Sequence, residues 1–549
     1  MSFSASGKSG EYHHLVEFVL DSTTLRYADE GLSIQSGRTT GAYYQGRLSS
    51  GGTLSRSLGT FLEPKETVST FEVVLDNQDG AIQNLIRTHT FANRKVRVFL
   101  GEGKVKANYS EMFTGHVAHP NGIRWDEDRA RITVVDQRLK HRKSLPNGTY
   151  TALSYPNLEQ KYVNTKIPII YGDWGITTGG GMEVPAVCIS MTATNKRFKL
   201  AGHGIKGIQR VRKNAVALTM GTQVVNVSLS TATFQLSGVT YSATDDVLAC
   251  NLAGIKTING TLITRPADVF RHLMTAWVGL TATDLNVTAL NDLNIANDLD
   301  GTKVRRVVNT STSTETLVQE LLAESNAEMR FVGGKYAPKY RGMTLDTNRT
   351  AFRDVDILLE DEDTEKAHFE AENDPDRYYA NKITARYQFD PLNNRYNGFY
   401  ARQVTLAVQD VSSVVERGVD YNWRYDDDEV SSQVNRDLIQ YTSEPVNIRF
   451  LAGPRALLKN LADQIDITFN VFSNSPIQIR RLDTSLGEMT TRVSGFSLLN
   501  FRMGRWTSDA APAWGTASDA EKEVQGFWSL DSGYVATGDA SSLNISRWY

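Results

Sequence analysis

The chain has very little cysteine. Cys188 and Cys250 are the two in 549 residues, which excludes a disulfide framework and any centre that needs four thiolates. Cysteines this sparse are expected to be buried thiols in a chain made in a reducing cytoplasm. Long hydrophobic runs are also missing, and no stretch approaches the roughly 18 apolar residues of a spanning helix. The first residues, MSFSASGKSG, have no apolar segment, so no secretory signal is expected. An excess of charge is missing too. The net charge of -3 gives no electrostatic basis for wrapping duplex nucleic acid. The glycine-rich stretch TTGGGM lacks the Lys-Ser/Thr end and the spacing of a phosphate cradle. There is no G-x-S-x-G and no Cys–His constellation.

What remains is the composition of an ordinary globular protein, 40% hydrophobic and 22% charged. The length calls for about three or four domains. Most of the sequence reads as short strands with polar turns, among them KVRVFL (95–100), RITVVD (131–136), TQVVNVSL (222–229) and ITARYQF (383–389). Helices are expected over 264–279, capped by Thr264 with Pro266 in the first turn, and from Thr312 to about Asn326, with Thr312 and Glu315 as a capping box. Others are expected over 455–464 and about 429–442. MRFVGGKYAPKY reads as a strand–Gly-Gly–strand hairpin.

The stretch TFEVVLDNQDGAIQNLI (70–86) gathers Asp76, Asn77, Gln78 and Asp79 before Gly80, as a calcium loop would. The spacing fails. With Asp76 at loop position 1, the glycine position falls on Ala81 and the bidentate Glu position on Arg87. The stretch therefore reads as a strand, an Asx-type turn and a short amphipathic segment through Ala81, Ile82, Leu85 and Ile86. His116 and His119 on a strand point to opposite faces and lack a third ligand, and His13 and His14 are adjacent. EDEDTE (360–365) reads as a solvated acidic turn and not as a general acid–base pair. No metal, cofactor or catalytic residue is expected.

Several stretches in fixed order carry a resemblance. They are RYADEGLSIQSG…YYQGRLSSGGTLSRSL, the 70–86 segment, RKVRVFLGE, EMFTGHVAH, LPNGTYTALSYPNLEQKYVNTKIPIIYGDW and TRPADVFRHLMTAWVGL. Then follow ETLVQELLAESNAEMRFVGGKY, DVDILLE, YYANKITARYQFDP and LADQIDITF. In this order the chain resembles the tail hub (baseplate hub, tail tip) proteins of long-tailed bacteriophages and gene transfer agents. The resemblance implies a mainly β, multidomain chain with α+β parts and two tube-like β-barrels, here 1–175 and 376–507. Between them, shifts in composition mark an all-β insert at 176–262 and a mixed α/β segment at 263–375. A C-terminal arm at 508–549 follows the second barrel.

The resemblance further implies a structural virion protein of the tail tip, made in the bacterial host cytoplasm. A homotrimer of two barrels each gives a pseudo-hexameric ring, able to stack on a hexameric tail tube or distal tail protein. Tip, fibre or spike proteins would lie beyond it, with contact to the host envelope indirect. Phage DNA would pass through an acidic or neutral lumen at ejection without specific binding. An iron–sulfur cluster, found in some siphophage tail-tip proteins, is excluded by the cysteine count.

In the arm, Trp514, Phe527, Trp528, Tyr534, Trp548 and Tyr549 stand in an Ala-, Gly- and Ser-rich segment, and are expected to anchor it at a subunit interface. Two other functions compete. One is a tail-associated cell-wall hydrolase, which needs paired carboxylates or a metal site. The other is a host-glycan-binding module at 183–262, which has no Trp and a single Tyr, Tyr241, to stack on sugars.

Overall fold

The structure, a computed structural model, describes residues 12–36, 39–58, 70–136, 141–175, 182–191, 196–299, 301–341, 346, 349–361, 366–367, 369–373, 379–404, 413–442, 446–457, 459–469, 472–485, 490–498, 527–530 and 545–548. It is mainly β, in several sheets, with a mixed α/β region in the middle of the chain.

Residues 12–136 build a ten-stranded sheet with an open path, from Leu32–Ser36 at one end to Leu48–Gly51 at the other. Alternation along its strands separates two apolar clusters. Val16, Phe18, Val96, Val98, Phe71, Ile132 and Val134 form the larger one. Leu15, Ile34, Tyr44 and Phe99 form the other, on the opposite side. The helix Ala81–Thr88 covers the larger cluster with Ile82, Leu85 and Ile86.

The 70–86 stretch is a strand (Thr70–Asp76), a turn and that helix. Gly80 sits at φ 68°, where a side chain would be strained. Asn77 is buried and ties the turn down. Its Oδ1 accepts from Gln83 N–H at 3.0 Å and its Nδ2 donates to Asp126 O at 3.1 Å. Asp79 accepts from Ala81 N–H and faces Arg47, whose hydrogen bond holds its carboxyl down at about 2.

Strands within 182–253 make two four-stranded sheets around one core that includes Cys188, Phe198, Phe234 and Cys250. Burial pushes both thiols up, Cys188 to about 11. The central core gathers the helices Pro266–His272, Val287–Leu299 and Thr314–Glu324. The hairpin Phe331–Val332/Lys335–Tyr336 turns through Gly333 and Gly334, both at positive φ.

A seven-stranded sheet gathers most of the C-terminal strands in the order Thr350–Arg353, Gln464–Phe469, Phe472–Ser485, Thr490–Ser497, Val446–Ala452 and Phe369–Asn373. Its seventh strand, Thr53–Ser57, comes from the N-terminal region and pairs along residues 481–485. A separate three-stranded sheet centred on Lys382–Asp390 packs on the helix Asp427–Thr442 through Ile383, Ala385, Val430, Val434 and Leu438. Neither large sheet closes into a barrel among the described residues.

Local details differ from the sequence expectations. The 264–279 helix is capped at Arg265, not Thr264, and passes into a π-helical turn over Leu273–Val278. The later helix is capped by Ser313, whose Oγ accepts from Thr316 N–H at 3.0 Å, and not by Thr312. Thr312 and Ser313 are instead paired in a short bridge with Ser144 and Leu145, and Glu315 pairs with Arg142. Of the described residues in 455–464, only 455–457, in the helix Pro454–Leu457, are helical. Asn460 N–H is bound by Asp463 in a turn that leads straight into the strand Gln464–Phe469.

Candidate functional site

Of the six aromatic residues expected at an interface, Trp514, Tyr534 and Tyr549 lie outside the described residues. Phe527, Trp528 and Trp548 lie on two short strands, Phe527–Leu530 and Ile545–Trp548, that pair antiparallel with each other. The register sets Phe527 opposite Trp548 and Trp528 opposite Arg547. The acidic run 360–365 and the glycine-rich run 177–182 lie largely outside the described residues.

The histidines singled out earlier do not converge. His116 is buried on the strand Tyr109–Val117, whereas His119 is exposed beyond its end. His13 approaches Asp29 at 3.4 Å and Glu30 at 3.6 Å. Among the described residues no group of three or more His, Cys, Asp or Glu side chains could hold a metal ion. Tyr241 is buried in the insert and donates to Glu159 Oε2 at 3.0 Å, so it offers no sugar-stacking face.

The structure instead brings together charged residues at the joint between the central core and the C-terminal sheets. Glu324, at the end of the helix Thr314–Glu324, is buried. It accepts the backbone N–H groups of Asn422, Trp423 and Arg424 at 2.8, 2.8 and 3.1 Å. The buried Arg424 guanidinium returns to Glu324 O and reaches Thr302 and Glu429, the latter at 2.7 Å. Burial, with the Glu320 carboxyl alongside, pushes the Glu324 carboxyl up to about 8 against the pull of the three N–H groups.

Beside this knot, the fully buried Glu328 pairs with Arg480 of the C-terminal sheet. Alternation along that sheet explains the placement. Ile477, Ile479, Ile448, Phe450 and Val493 point to one side and form its apolar core. Asn447, Arg449, Gln478, Arg480 and Arg492 point to the other. There Asn447, Arg449, Arg480 and Arg492 line a cavity of about 340 Å³ with Arg481, Asp483 and, from the N-terminal strand, Ser57. Arg481 pairs with Asp483 at 2.7 Å and Arg449 with Glu372 at 2.7 Å. Arg449, Arg480 and Arg481 are thus each paired with a carboxylate of the chain itself, so this face is a network of charged pairs within the fold. These arginines are not among the site residues expected from the sequence. Their signal was the run IQIRRLD (477–483), where arginines replace the polar-out residues of an ordinary alternating strand.

No protein-family model matches the chain, and no curated protein sequence matches it. Solved structures do. A protein in the virion of a native gene transfer agent particle is similar at TM-score 0.43 and 11% identity, over 62% of this chain and 87% of that one. The 43 kDa tail protein of prophage MuSo2 from Shewanella oneidensis is similar at TM-score 0.41 and 7% identity, over 89% of this chain and 99% of its own. The tail protein from Neisseria meningitidis MC58 gives the same figures.

Proposed function

We propose that the chain is a structural protein of a phage-type tail, acting as a trimeric hub between a hexameric tail tube and a three-fold tip. The reading rests on the ordered sequence stretches that resemble tail hub proteins. One structural observation supports it above others. Two large, mainly antiparallel sheets stand near the two ends of the chain, and the strand Thr53–Ser57 leaves the first region to pair in the second. A pseudo-hexamer needs two such units held rigidly in one subunit, and a shared strand supplies that rigidity.

On this reading the two sheets belong to the two tube-like units, and DNA passes through the ring at ejection. The arginine-lined face then belongs against protein. Lining a DNA path, its guanidinium groups would retard the phosphates by ion pairing. The arm, with Trp514, Phe527, Trp528, Tyr534, Trp548 and Tyr549, docks on another subunit or tail protein. The role is structural and not catalytic, because the charged side chains gathered at the joint bind one another and the backbone.

Copy number tests the reading. Mass measurement on intact tails is expected to give three copies per tail, and six copies in a single ring would overturn it. Truncation after Trp506 separates the arm's two roles. A folded, soluble chain that fails to enter tails is expected, and a chain that misfolds in isolation would assign the arm to its own core.

A further inference from the structure

The insert within 182–253 leaves the central core after the strand Ile169–Tyr171 and returns to it through Ala253–Ile255. At this crossing the loop Ala201–Ile205 folds back onto the strand. Gly202 N–H donates to Pro168 O at 2.9 Å, and His203 Nε2 accepts the N–H of Ile170 at 2.9 Å. A backbone N–H can only donate, so Nε2 must be unprotonated. His203 Nδ1 lies 2.8 Å from Gly204 O and therefore carries the hydrogen. Both ring nitrogens are committed, and only the neutral ring satisfies both partners.

We propose that His203 is an acid-released latch that holds the β-rich insert to the central core. Protonation places a second N–H at Nε2, facing the Ile170 N–H, and the bond is replaced by the opposition of two donors. Gly204 O favours the cation through Nδ1, but the charged and titratable neighbours oppose it. From the insert strand Arg197–Lys199 comes Lys199, and from the helix Pro266–His272 comes His272. Trp277 stands edge-on to His203, with ring centroids 6.3 Å apart. Lys143 donates to Val278 O, next to Trp277 in the chain.

His272 is a different case. Trp277 Nε1 donates to Tyr171 Oη at 3.2 Å, and Tyr171 donates to His272 Nδ1 at 2.9 Å. A hydroxyl can turn round and accept, so this pair survives protonation of His272, whereas the bond to Ile170 cannot reverse. Burial lowers His203 to about 4. The neutral ring's contribution is thus complete above the ordinary histidine value of 6.5 and is lost as pH falls toward 4. The insert is then held by its apolar contacts, which include Ile170 and Val307 from the core side.

The test is hydrogen exchange on the full-length protein between pH 7 and 4, each rate divided by that of an unstructured peptide at the same pH. Protection over 168–175 is expected to fall roughly tenfold or more across that range, while the strand Lys95–Glu102 keeps its protection. In His203→Gln the amide oxygen can accept from Ile170 but does not titrate, so the profile is expected to be flat. Unchanged protection in the wild type, a parallel fall in Lys95–Glu102, or the same fall in His203→Gln would overturn the proposal. Should that variant not fold, an imidazole NMR titration of the wild type decides. His203 titrating together with the loss of protection supports the latch, and titration without that loss overturns it.

Discussion

The two large sheets solve the same geometric problem in opposite ways. The N-terminal sheet buries apolar side chains on both faces, with Val16, Val98 and Ile132 on one and Leu15, Ile34 and Phe99 on the other. The C-terminal sheet keeps its own apolar core on one face, and among the described residues Phe496 on the other belongs to the cluster under the helix Asp427–Thr442. Its second face carries Asn447, Gln478 and Arg480, all buried, and meets the central core through the Arg480–Glu328 pair. The first sheet is held by burial of area, which is non-directional. The second is held on one face by directed polar bonds, which fix how it meets its neighbour more than how strongly it holds. One sheet is a core and the other is half core, half joint.

Substitutions can break the comparison, taken from the largest effect down. Phe71→Ala, in the N-terminal core, is expected to cost about 3–5 kcal/mol by chemical denaturation, because the site is sealed on all sides. Glu328→Gln removes the carboxylate that neutralises a buried guanidinium and is expected to cost about 3 kcal/mol, toward the lower end of the range for breaking a buried pair. Replacing both partners, Glu328→Met with Arg480→Met, sharpens the contrast. If the joint is about orientation, the double variant recovers most of that loss. If it is as unstable as Glu328→Gln, the pair contributes stability and the comparison fails.

A pH effect is next. The Glu324 carboxyl is raised to about 8 in the folded chain. A raised acid contributes most below its ordinary value of 4.5, and that contribution is lost as pH rises from there to about 8. Unfolding free energy at the joint is expected to decline between about pH 4.5 and 8, and Glu324→Gln should flatten the decline. A wild-type curve that rises over this range would contradict the assignment. The smallest effect is expected at the surface. Asp420→Asn removes the exposed partner of Arg386 and should leave Tm within about a degree, since exposed pairs contribute little.

Elements with a clean local rule were legible in the sequence. The turn at Asp76–Gly80, the Gly333-Gly334 hairpin and the helix begun by Pro266 each follow from one or two residues whose backbone preferences leave little choice. The helix Val287–Leu299 was missed because its apolar residues do not keep to one side. Ile295 and Leu299 are exposed, while Asn294 and Asn297 are buried. Asn294 is paid back by a bond to Asp268 at 3.0 Å, a partner no local pattern reveals. The helix expected over 455–464 failed for the converse reason. Ala456, Leu461 and Ala462 are buried in the sheet core, but Asp463 binds Asn460 N–H in a turn instead of a helix. The joint was hidden because Glu324, Glu328, Arg424 and Arg480 are spread over both halves of the chain, and each alone reads as a surface charge.

The strand Thr53–Ser57 also sets a schedule for synthesis. Its partner follows more than 400 residues later, as the separation of 428 between Ser55 and Asp483 records. At a ribosomal rate of about 5–20 residues per second, the strand waits on the order of 20–80 s before its ladder can form. During that time its backbone donors and acceptors have no sheet to join, and an idle edge invites pairing with a neighbouring nascent chain. The residues themselves answer the hazard. Thr, Leu, Ser, Arg and Ser make a short, largely polar strand that is a weak template on its own. The C-terminal sheet therefore finishes late, and a chain cut short before residue 481 leaves this strand without its place.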